Sequence, residues 1–365
     1  MSGAWRLLAD DGVGAAEGLA LDEALMGRYA RGEPDRPPTL RLYSYRDHCA
    51  LVGRYQDLAA EIDLEACRAT GTEVNRRPTG GGAIIMGSGQ LGLAYLDRAP
   101  TGGRPREIIE EFSAALAHGL ARLGITASFH GKNDLEVRGR KIAGLGLYVD
   151  QAGAMLFHAS VLADLDVNLM VRLLRIPAAK LADRAVAAVA ERVTTVTAET
   201  GNPHDATTIR PAIAEGLATA FGVALDPGSP DEDERARAAS LAASRYRSQS
   251  WLDGRRAASD ASGSALLRTP AGLARIYLTT HGDLIKSAMV VGDFNELPAA
   301  LAAMESGLSW RRLDHGSVAA VVDSSGASAA LGVPPEKLVA AVIEAGRQAT
   351  VTAGAAGPRV ARDEI

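Results

Sequence analysis

Apolar residues recur every three to four positions along several stretches of the chain, which is the spacing of amphipathic helices. Gly71 and Pro177 would end two of the shorter stretches, because glycine adopts the conformation that closes a helix and proline cannot continue one. The predicted helices are 15–30, 62–71, 105–124, 167–176, 297–308 and 335–349.

Other stretches alternate apolar and polar residues, or are rich in β-branched and aromatic ones, a pattern typical of strands. Residues 36–45 and 49–55 are predicted to form a hairpin around a turn at 46–48, and 273–291 a second hairpin around His281–Gly282. The remaining predicted strands are 72–77, 83–86, 91–97, several within 125–166, and 317–323.

The length and local composition of the chain predict two domains. A chain of 365 residues is longer than one hydrophobic core usually spans. Residues 226–264 are rich in Pro, Ser, Asp and Arg and contain the isolated aromatic residues Tyr246 and Trp251. We predict a larger domain over 1–254, with a connecting segment at 226–262, a small α+β domain over 263–350, and a disordered tail over 351–365.

Composition excludes several classes of protein. The formal net charge is −5, so no general basic field would attract nucleic acid or an anionic membrane. No apolar run is long enough to span a membrane, and residues 1–14 lack the features of a signal peptide. Two cysteines, Cys49 and Cys67, are too few for a disulfide scaffold or a cysteine-rich zinc site, which predicts a cytoplasmic location.

The first candidate site is the stretch RRPTGGGAIIM at 76–86. Gly80, Gly81 and Gly82 join two predicted strands and leave the backbone bare beside Arg76 and Arg77. Exposed turn amides next to fork-shaped cations predict an anion-binding site, and the alternative is a flexible loop with solvated arginines. The chain contains neither a P-loop nor a dinucleotide-binding glycine motif.

Two further stretches carry candidate chemistry. GKNDLEVRGRKIAG at 131–144 places Asn133 and Asp134 at the start of one predicted strand and Lys141 on the next. MLFHASVLADLD places His158 in an apolar strand. Taken alone, such a lysine usually points to solvent and such a histidine is usually a hydrogen-bonded core residue.

In order and spacing, RRPTGGGAII, GKNDLEVRGRKIAG and FHASVLADLD resemble the lipoate–protein ligase family. The resemblance extends to GLALDEALM, ERVTTVTAE and the C-terminal LARIYLTTHGDLIKSAMVVGDF, so it covers nearly the whole chain. It implies an α/β (α+β, mixed-sheet) fold, with a biotin–lipoate ligase-like catalytic domain followed by a small α+β C-terminal accessory domain.

The resemblance also implies a reaction. ATP and lipoate would give lipoyl-adenylate, and the lipoyl group would pass to a lysine of a carrier protein, such as a 2-oxoacid dehydrogenase E2 or the glycine cleavage H protein. Lys141 would be the catalytic residue, since an ammonium can contact both the carboxyl oxygen and the α-phosphate. Asp134 would be a candidate ligand for Mg²⁺. The implied ATP- or adenylate-binding residues are Arg76, Arg77, Gly80, Gly81, Gly82, Ala83, Ile84, Ile85, Asn133, Asp134 and Lys141. The implied lipoate-binding residues are Lys141, Gly144, Leu145 and His158.

The chain departs from the family pattern at Met86, where the family has a histidine. The following GSGQLGLAYL is closer to a segment of the octanoyltransferases, relatives that move octanoate from acyl carrier protein without ATP. Their I-x-P-C-G segment would fall on 175–179, where Ala178 replaces the nucleophilic cysteine. The sequence therefore favours the ligase, with an octanoyl or lipoyl transferase and a non-catalytic lipoate-binding relative as alternatives.

Overall fold

The structure, a computed structural model, describes residues 3–31, 36–131, 133–175, 182–257, 260–261 and 263–355. Its contacts divide the chain into two compact units. The first comprises the described residues of Met1–Val52, Ala59–Thr79 and Ala83–Leu252. The second comprises those of Gly53–Leu58, Gly80–Gly82 and Asp253–Ile365, so it includes two short segments from the N-terminal half of the chain.

The first unit contains a mixed eight-stranded sheet and a three-stranded sheet. Its strands are β1 Ala4–Val13, β2 Thr39–Tyr45, β3 Cys49–Val52, β4 Glu73–Arg76, β5 Ile84–Met86, β6 Gln90–Arg98, β7 Ser128–His130, β8 Asp134–Val137, β9 Arg140–Val149, β10 Ala154–Leu162 and β11 Ala224–Pro227. The large sheet has the order β11-β1-β2-β6-β10-β9-β8-β7, and the small one has the order β4-β3-β5.

Some helices of this unit lie on the two faces of the large sheet. Its helices are α1 Ala15–Ala30, α2 Leu58–Glu61, which begins at the boundary of the units, α3 Leu64–Thr70, α4 Pro105–Ala121, α5 Val167–Leu173, α6 Ala182–Ala190, α7 Val196–Thr200, α8 Ala206–Phe221, α9 Glu232–Leu241, a π-helical turn Ala242–Tyr246, and α10 Gln249–Asp253, which ends at the boundary. On one face α4 and α8 enclose an apolar core that includes Phe112, Phe157 and Ile213. On the other face lie α1 and α9, with Leu25 and Leu156 in a second core.

The second unit is an α+β module with its own core. It contains β12 Gly263–Thr269, β13 Gly272–His281, β14 Leu284–Gly292, α11 Ala299–Leu308, α12 His315–Ser325, α13 Ala327–Leu331 and α14 Pro335–Ala355. Buried residues such as Ile276, Met304 and Val342 fill the space between its antiparallel three-stranded sheet and its helices. The predicted hairpin around His281–Gly282 is present as β13 and β14. Residues 356–365 of the predicted tail lie outside the described residues.

The predicted N-terminal hairpin is wrong. β2 and β3 follow one another closely, but they belong to different sheets. β1 and β6 occupy the two edges of β2, so no edge remains for β3 to pair with. β3 instead pairs with β4 and β5, which places it in the middle of the small sheet.

The segment predicted to be a connector is folded against the first unit as far as Leu252. Asp231 caps α9 in a capping box with Glu234. The Glu234 carboxylate is fully buried and accepts hydrogen bonds from Arg6, while Arg28 lies 2.6 Å away. Tyr246 is also fully buried and donates from its hydroxyl to Glu23. Charged residues of this segment therefore form specific ion pairs with the first unit. Composition alone does not distinguish such residues from charged residues that face solvent.

Residues 317–323, predicted to form a strand, lie in helix α12. The side chain of Asp314 accepts from the Ser317 amide and caps the helix. Val318, Val321 and Val322 then fall on one helical face and are buried in the module core. The run of β-branched residues suggested a strand, but the cap and the i, i+3, i+4 spacing determine the structure.

Candidate active site

Small residues line one face of three adjacent strands in the large sheet. Ser160 on β10 pairs with Gly92 on β6 and with Gly144 on β9. His158, two residues earlier, pairs with Ala94 and Gly146 in the same way. Because alternate residues of a strand share a face, these positions form a patch of mostly small residues on the α1 side of the sheet, which we call the slot.

Lys141 lies along this slot. Its Nζ is 2.6 Å from Oδ1 of Asp134, and the two side chains are each about one-third exposed. A Cβ atom at position 144 would be 3.0 Å from Nζ of Lys141 and 3.6 Å from Oγ of Ser160. The absence of a side chain at Gly144 therefore leaves room for the ammonium above the floor of the slot.

His158 is neutral in this environment. Burial and the nearby charge of Arg77 lower the pKa of His158 to about 3. Its Nε2 has no accessible surface and no hydrogen-bond partner among the described residues. The ring lies directly over Gly146, where a Cβ atom would be 2.3 Å from Nε2.

The ring of Tyr43 closes the β6 end of the slot, because a Cβ atom at Gly92 would be 2.5 Å from it. The guanidinium of Arg41 lies 4.2 Å from the centre of that ring and is itself fully buried. Arg41 pairs with Asp22 and Asp10, each at 2.6 Å. Burial raises the pKa of Asp22 despite the opposing charge of Arg41. This network holds the Tyr43 wall in place.

The structure brings together three of the four residues predicted to bind lipoate. Lys141, Gly144 and His158 share the slot, but Leu145 lies on the opposite face of β9, in the core beneath α4 and α8. Its inclusion in the slot was wrong, because a side chain adjacent to Gly144 on a strand points to the other face of the sheet.

The two arginines of the RR pair lie in protein interior. Arg76 is buried, and its guanidinium donates to the main-chain oxygens of Trp251 and Leu252. Arg77 donates to the main-chain oxygen of Leu51 at 2.8 Å, and burial lowers the pKa of Arg77 to about 10. Arg76 therefore has a clear structural role, whereas Arg77 also contributes positive charge near His158.

The triple glycine belongs to the second unit, whereas the RR pair belongs to the first. The amide of Gly81 donates to the main-chain oxygen of Phe294, so it is not available to a phosphate. A Cβ atom at Gly80 would be 2.0 Å from that oxygen, and Gly81 has a φ of +88°. Close packing against the segment after β14 explains these two glycines, while Gly82 has room for a side chain.

The residues after the triple glycine lead into β5. Ala83 is partly exposed, and Ile85 is buried. Ile84 and Met86 contact the core on the α1 side of the large sheet, so the residue at the family's histidine position is a buried apolar one. Nothing in these positions assigns them to a nucleotide.

The described residues do not form a metal site built from protein side chains alone. No group of three or more His, Cys, Asp or Glu side chains in the described ranges is arranged to hold a metal ion. Asp134, the predicted ligand, is paired with Lys141. Asn133 lies at the entrance of β8, and its main-chain oxygen accepts from the Leu145 amide.

Both thiols of the chain are buried away from solvent. Cys49 on β3 and Cys67 on α3 are each 1% exposed. Burial and the charge of Glu73 raise the pKa of Cys49 well above its usual value, and burial also raises the pKa of Cys67. A protonated, inaccessible thiol is a poor nucleophile. Of the predicted segment at 175–179, residues 176–179 lie outside the described residues.

Sequence reasoning missed Tyr43, Gly92, Gly146 and Ser160. The signal was present, since small residues alternate with large apolar ones in QLGLAYL, AGLGL and FHASV. A strand with one large and one small face is what a slot requires. Only the pairing of β6, β10 and β9 shows that the three small faces are contiguous.

The comparisons with known proteins identify the family. The profile of the lipoyl protein ligase A/B catalytic domain matches residues 14–218. An octanoyltransferase LipM from Symbiobacterium thermophilum is 33% identical over 269 residues, which cover 68% of this chain and 97% of that protein. The octanoyltransferase LipM of Kyrpidia tusciae is 32% identical, with 68% and 97% covered.

Solved structures of lipoate ligases share the fold. A bipartite lipoate protein ligase from Thermoplasma acidophilum matches with a TM-score of 0.62 and 26% identity, covering 71% of this chain and 99% of that one. A lipoate-protein ligase A bound with ATP matches with a TM-score of 0.60 and 25% identity, covering 70% and 99%. LipL1 of P. falciparum, at 15% identity, matches the fold with a TM-score of 0.69 over 87% of this chain.

These matches confirm the fold class and the family resemblance found in the sequence. In the parts of the chain that the structure describes, no helix is long and apolar enough to cross a membrane. The chain belongs to the lipoyl protein ligase A/B catalytic-domain family, within the biotin/lipoate ligase-like superfamily, and is an enzyme of its ligase and transferase group.

Proposed function

We propose that this enzyme transfers a medium-chain acyl group, octanoyl or lipoyl, from a preformed thioester to a lysine of a lipoyl carrier domain. The octanoyltransferases that match over nearly their full length favour this route over the ATP-dependent one that the sequence favoured. The carrier is proposed by analogy with the Thermoplasma acidophilum ligase, which was studied with its E2 lipoyl domain.

The observation that carries the proposal is the position of the Lys141 ammonium. Asp134 holds it at 2.6 Å, above a floor of glycine and serine that would admit an unbranched acyl chain. A fixed cation at the carbonyl of the acyl group would stabilise the oxyanion that forms during transfer. Neutral His158 and the ring of Tyr43 would contact the rest of the acyl chain without adding charge.

The transfer needs no nucleophile from this protein. A thioester is already activated, so the neutral amine of the carrier lysine can attack its carbonyl carbon directly. The C–N bond forms, the C–S bond breaks with its electron pair on sulfur, and the amine proton ends on the departing thiol. This direct aminolysis is compatible with the burial of both cysteines.

A second candidate is the ATP-dependent ligase, in which lipoate is adenylated before transfer. The specific observation in its favour is that neither thiol is exposed to carry an acyl intermediate, as the family's acyl-cysteine route requires. Against it, the Arg76 guanidinium and the Gly81 amide, two of the groups predicted to bind ATP or the adenylate, are engaged within the protein.

One assay separates the two candidates. The enzyme is incubated with a lipoyl domain and either an octanoyl thioester without nucleotide, or octanoate or lipoate with ATP and Mg²⁺. We expect intact-mass spectrometry to show the acylated domain in the thioester arm. Acylation only in the nucleotide arm would assign the ligase instead, and acylation in neither arm would favour a non-catalytic relative.

Replacement of both Cys49 and Cys67 by alanine should leave the acyl-transfer rate within a few-fold of wild type, because neither thiol can reach a substrate. The rate would be measured with the octanoyl thioester, alongside a thermal unfolding curve for each protein. Loss of transfer by a variant that unfolds at the same temperature would establish an acyl-cysteine route.

Replacement of Gly146 by alanine should lower the transfer rate by about 10²-fold, because the new Cβ atom would displace the His158 ring from the slot. The matched control is Gly27→Ala in α1, where the nearest atom to a new Cβ would be 3.4 Å away at the flexible end of Arg31. Equal activity in the two variants would show that the His158 ring does not need its present position.

A further inference from the structure

A β-bulge determines which face of β9 carries Lys141. Lys141 pairs with Glu136 on β8, whereas Ala143 pairs with Leu135, so Ile142 is an extra residue with no partner of its own. Regular alternation would put Lys141 on the same face as Ala143, in the core beneath α4 and α8. The bulge turns Ile142 into that core and leaves Lys141 on the slot face, beside Gly144.

Residues 192–194 bind the main chain of Lys141 on the edge of β9 that faces away from β8. The Lys141 amide donates to the main-chain oxygen of Arg192 at 2.8 Å, and its oxygen accepts from the Thr194 amide at 2.8 Å. These two bonds form a parallel bridge to Val193. The main chain at the bulge is therefore held on one edge by β8 and on the other by residues 192–194.

Glu199, on the short helix α7, joins these elements through one carboxylate. It accepts from the Thr194 hydroxyl at 2.6 Å, from Arg140 at 2.7 Å, and from Arg138 in the β8–β9 turn. Its side chain is only 4% exposed, whereas Arg138 is 71% and Arg140 35% exposed, so the carboxylate is the shielded end of these charge-assisted bonds. The carboxylate thus ties the hairpin turn to the segment that binds the Lys141 backbone.

We propose that Glu199 is a positioning residue that keeps the bulge in place and so holds the Lys141 ammonium over the slot. The part of this proposal that depends on the proposed function is the role of Lys141 in acyl transfer. The positioning of Lys141 by Glu199 does not depend on it. Without the carboxylate, Arg138 and Arg140 lose their common anchor and Thr194 loses its side-chain acceptor. Lys141 then samples orientations away from the acyl carbonyl, while the floor of the slot is unchanged.

The kinetic test compares Glu199→Ala, Glu199→Gln and the matched control Glu215→Ala. Glu215 also pairs with an arginine, Arg122, but on the exposed surface. We expect Glu199→Ala to lower kcat by about 10- to 10²-fold with little change in KM for the thioester. Glu199→Gln keeps one acceptor oxygen and should recover part of the loss, whereas Glu215→Ala should match wild type.

An unchanged kcat, or a rise in KM alone, would overturn the proposal. So would a kcat that falls only in proportion to the folded fraction, measured from the thermal unfolding curve. A loss of transfer that is equal in Glu199→Gln and Glu199→Ala, at matched folded fractions, would also exclude rescue by the remaining acceptor and contradict the role assigned to the carboxylate.

Amine labelling followed by peptide mass spectrometry tests the positioning independently of any activity. We expect the labelling rate of Lys141, relative to exposed Lys337 in the same chain, to rise several-fold in Glu199→Ala as the ammonium leaves Asp134. An unchanged ratio would overturn the positioning role even in an active enzyme. If wild type transfers no acyl group but the ratio still rises, the proposed function fails and the positioning role stands.

Discussion

Replacement of Lys141 by alanine is expected to lower acyl transfer by about 10²–10³-fold, the usual effect of removing one donor to a developing oxyanion. The ammonium lies over Gly144 and is held by Asp134, so the replacement removes the positive charge from that position. The rate would be measured by intact mass of the acylated carrier domain under single-turnover conditions.

Lys141→Arg should be almost as inactive, although it keeps the charge. Guanidinium is a planar fork, and the space above Gly144 and Ser160 fits a compact ammonium. The control is Lys337→Ala, at an exposed lysine on the first turn of α14. If Lys141→Arg retained most of its activity, the lysine would be a general surface charge and the active-site assignment would be wrong.

Replacement of Glu234 by alanine is expected to lower the free energy of unfolding of the first unit by about 1.5–3 kcal/mol, because it removes the buried acceptor of charged hydrogen bonds from Arg6 and Arg28, although Arg28 keeps its contact with Asp231. Its carboxylate is fully buried between Arg6 and Arg28, and it anchors α9 to α1 and β1. Urea unfolding followed by tryptophan fluorescence would measure the change.

The stabilising effect of Glu234 should also depend on pH. Burial raises the pKa of this carboxyl, but the hydrogen bonds from Arg6, the Asp231 amide and Arg28 outweigh burial and lower the pKa below its usual 4.5. A lowered folded-state pKa means that the unfolded chain takes up the proton first as the pH falls. The contribution is therefore complete above about pH 4.5 and is lost as the pH falls through the folded-state pKa.

The control for this residue is Glu232→Ala, an exposed glutamate in the same first turn of α9. It should change the free energy of unfolding by less than about 1 kcal/mol. If Glu234→Ala and Glu232→Ala were equally stable, the segment after 231 would be the loosely attached connector that its composition suggested. Equal stability at pH 7 and pH 4 in wild type would contradict the titration argument.

The candidate site residues Asp134 and Lys141 could be proposed from the sequence because their spacing is local. The stretch 131–144 places Asp134 and Lys141 on two strands joined by the tight turn at Arg138–Gly139, so their proximity follows from one hairpin. Helix α1 and helix α4 were also predicted, since their apolar residues repeat with the helical period.

Predictions that depended on distant partners were less successful. Gly81 was assigned to a phosphate because its amide looked exposed in the sequence, but Phe294, more than two hundred residues away, accepts that amide. The pairing of β2 with β1 and β6 likewise excluded the expected hairpin. The local sequence does not show which distant group will accept a hydrogen bond from an amide or pair with the edge of a strand.

The sequence by itself determined the family, the fold class and the candidate lysine, because motif order and hydrophobic period are properties of neighbouring residues. Only the tertiary structure decided that Leu145 faces the core, that Lys141 faces the slot, and that Glu199 holds the intervening bulge. One extra residue in a strand inverts the face of every side chain before it. Such an insertion becomes visible only when the strand is paired with its neighbour.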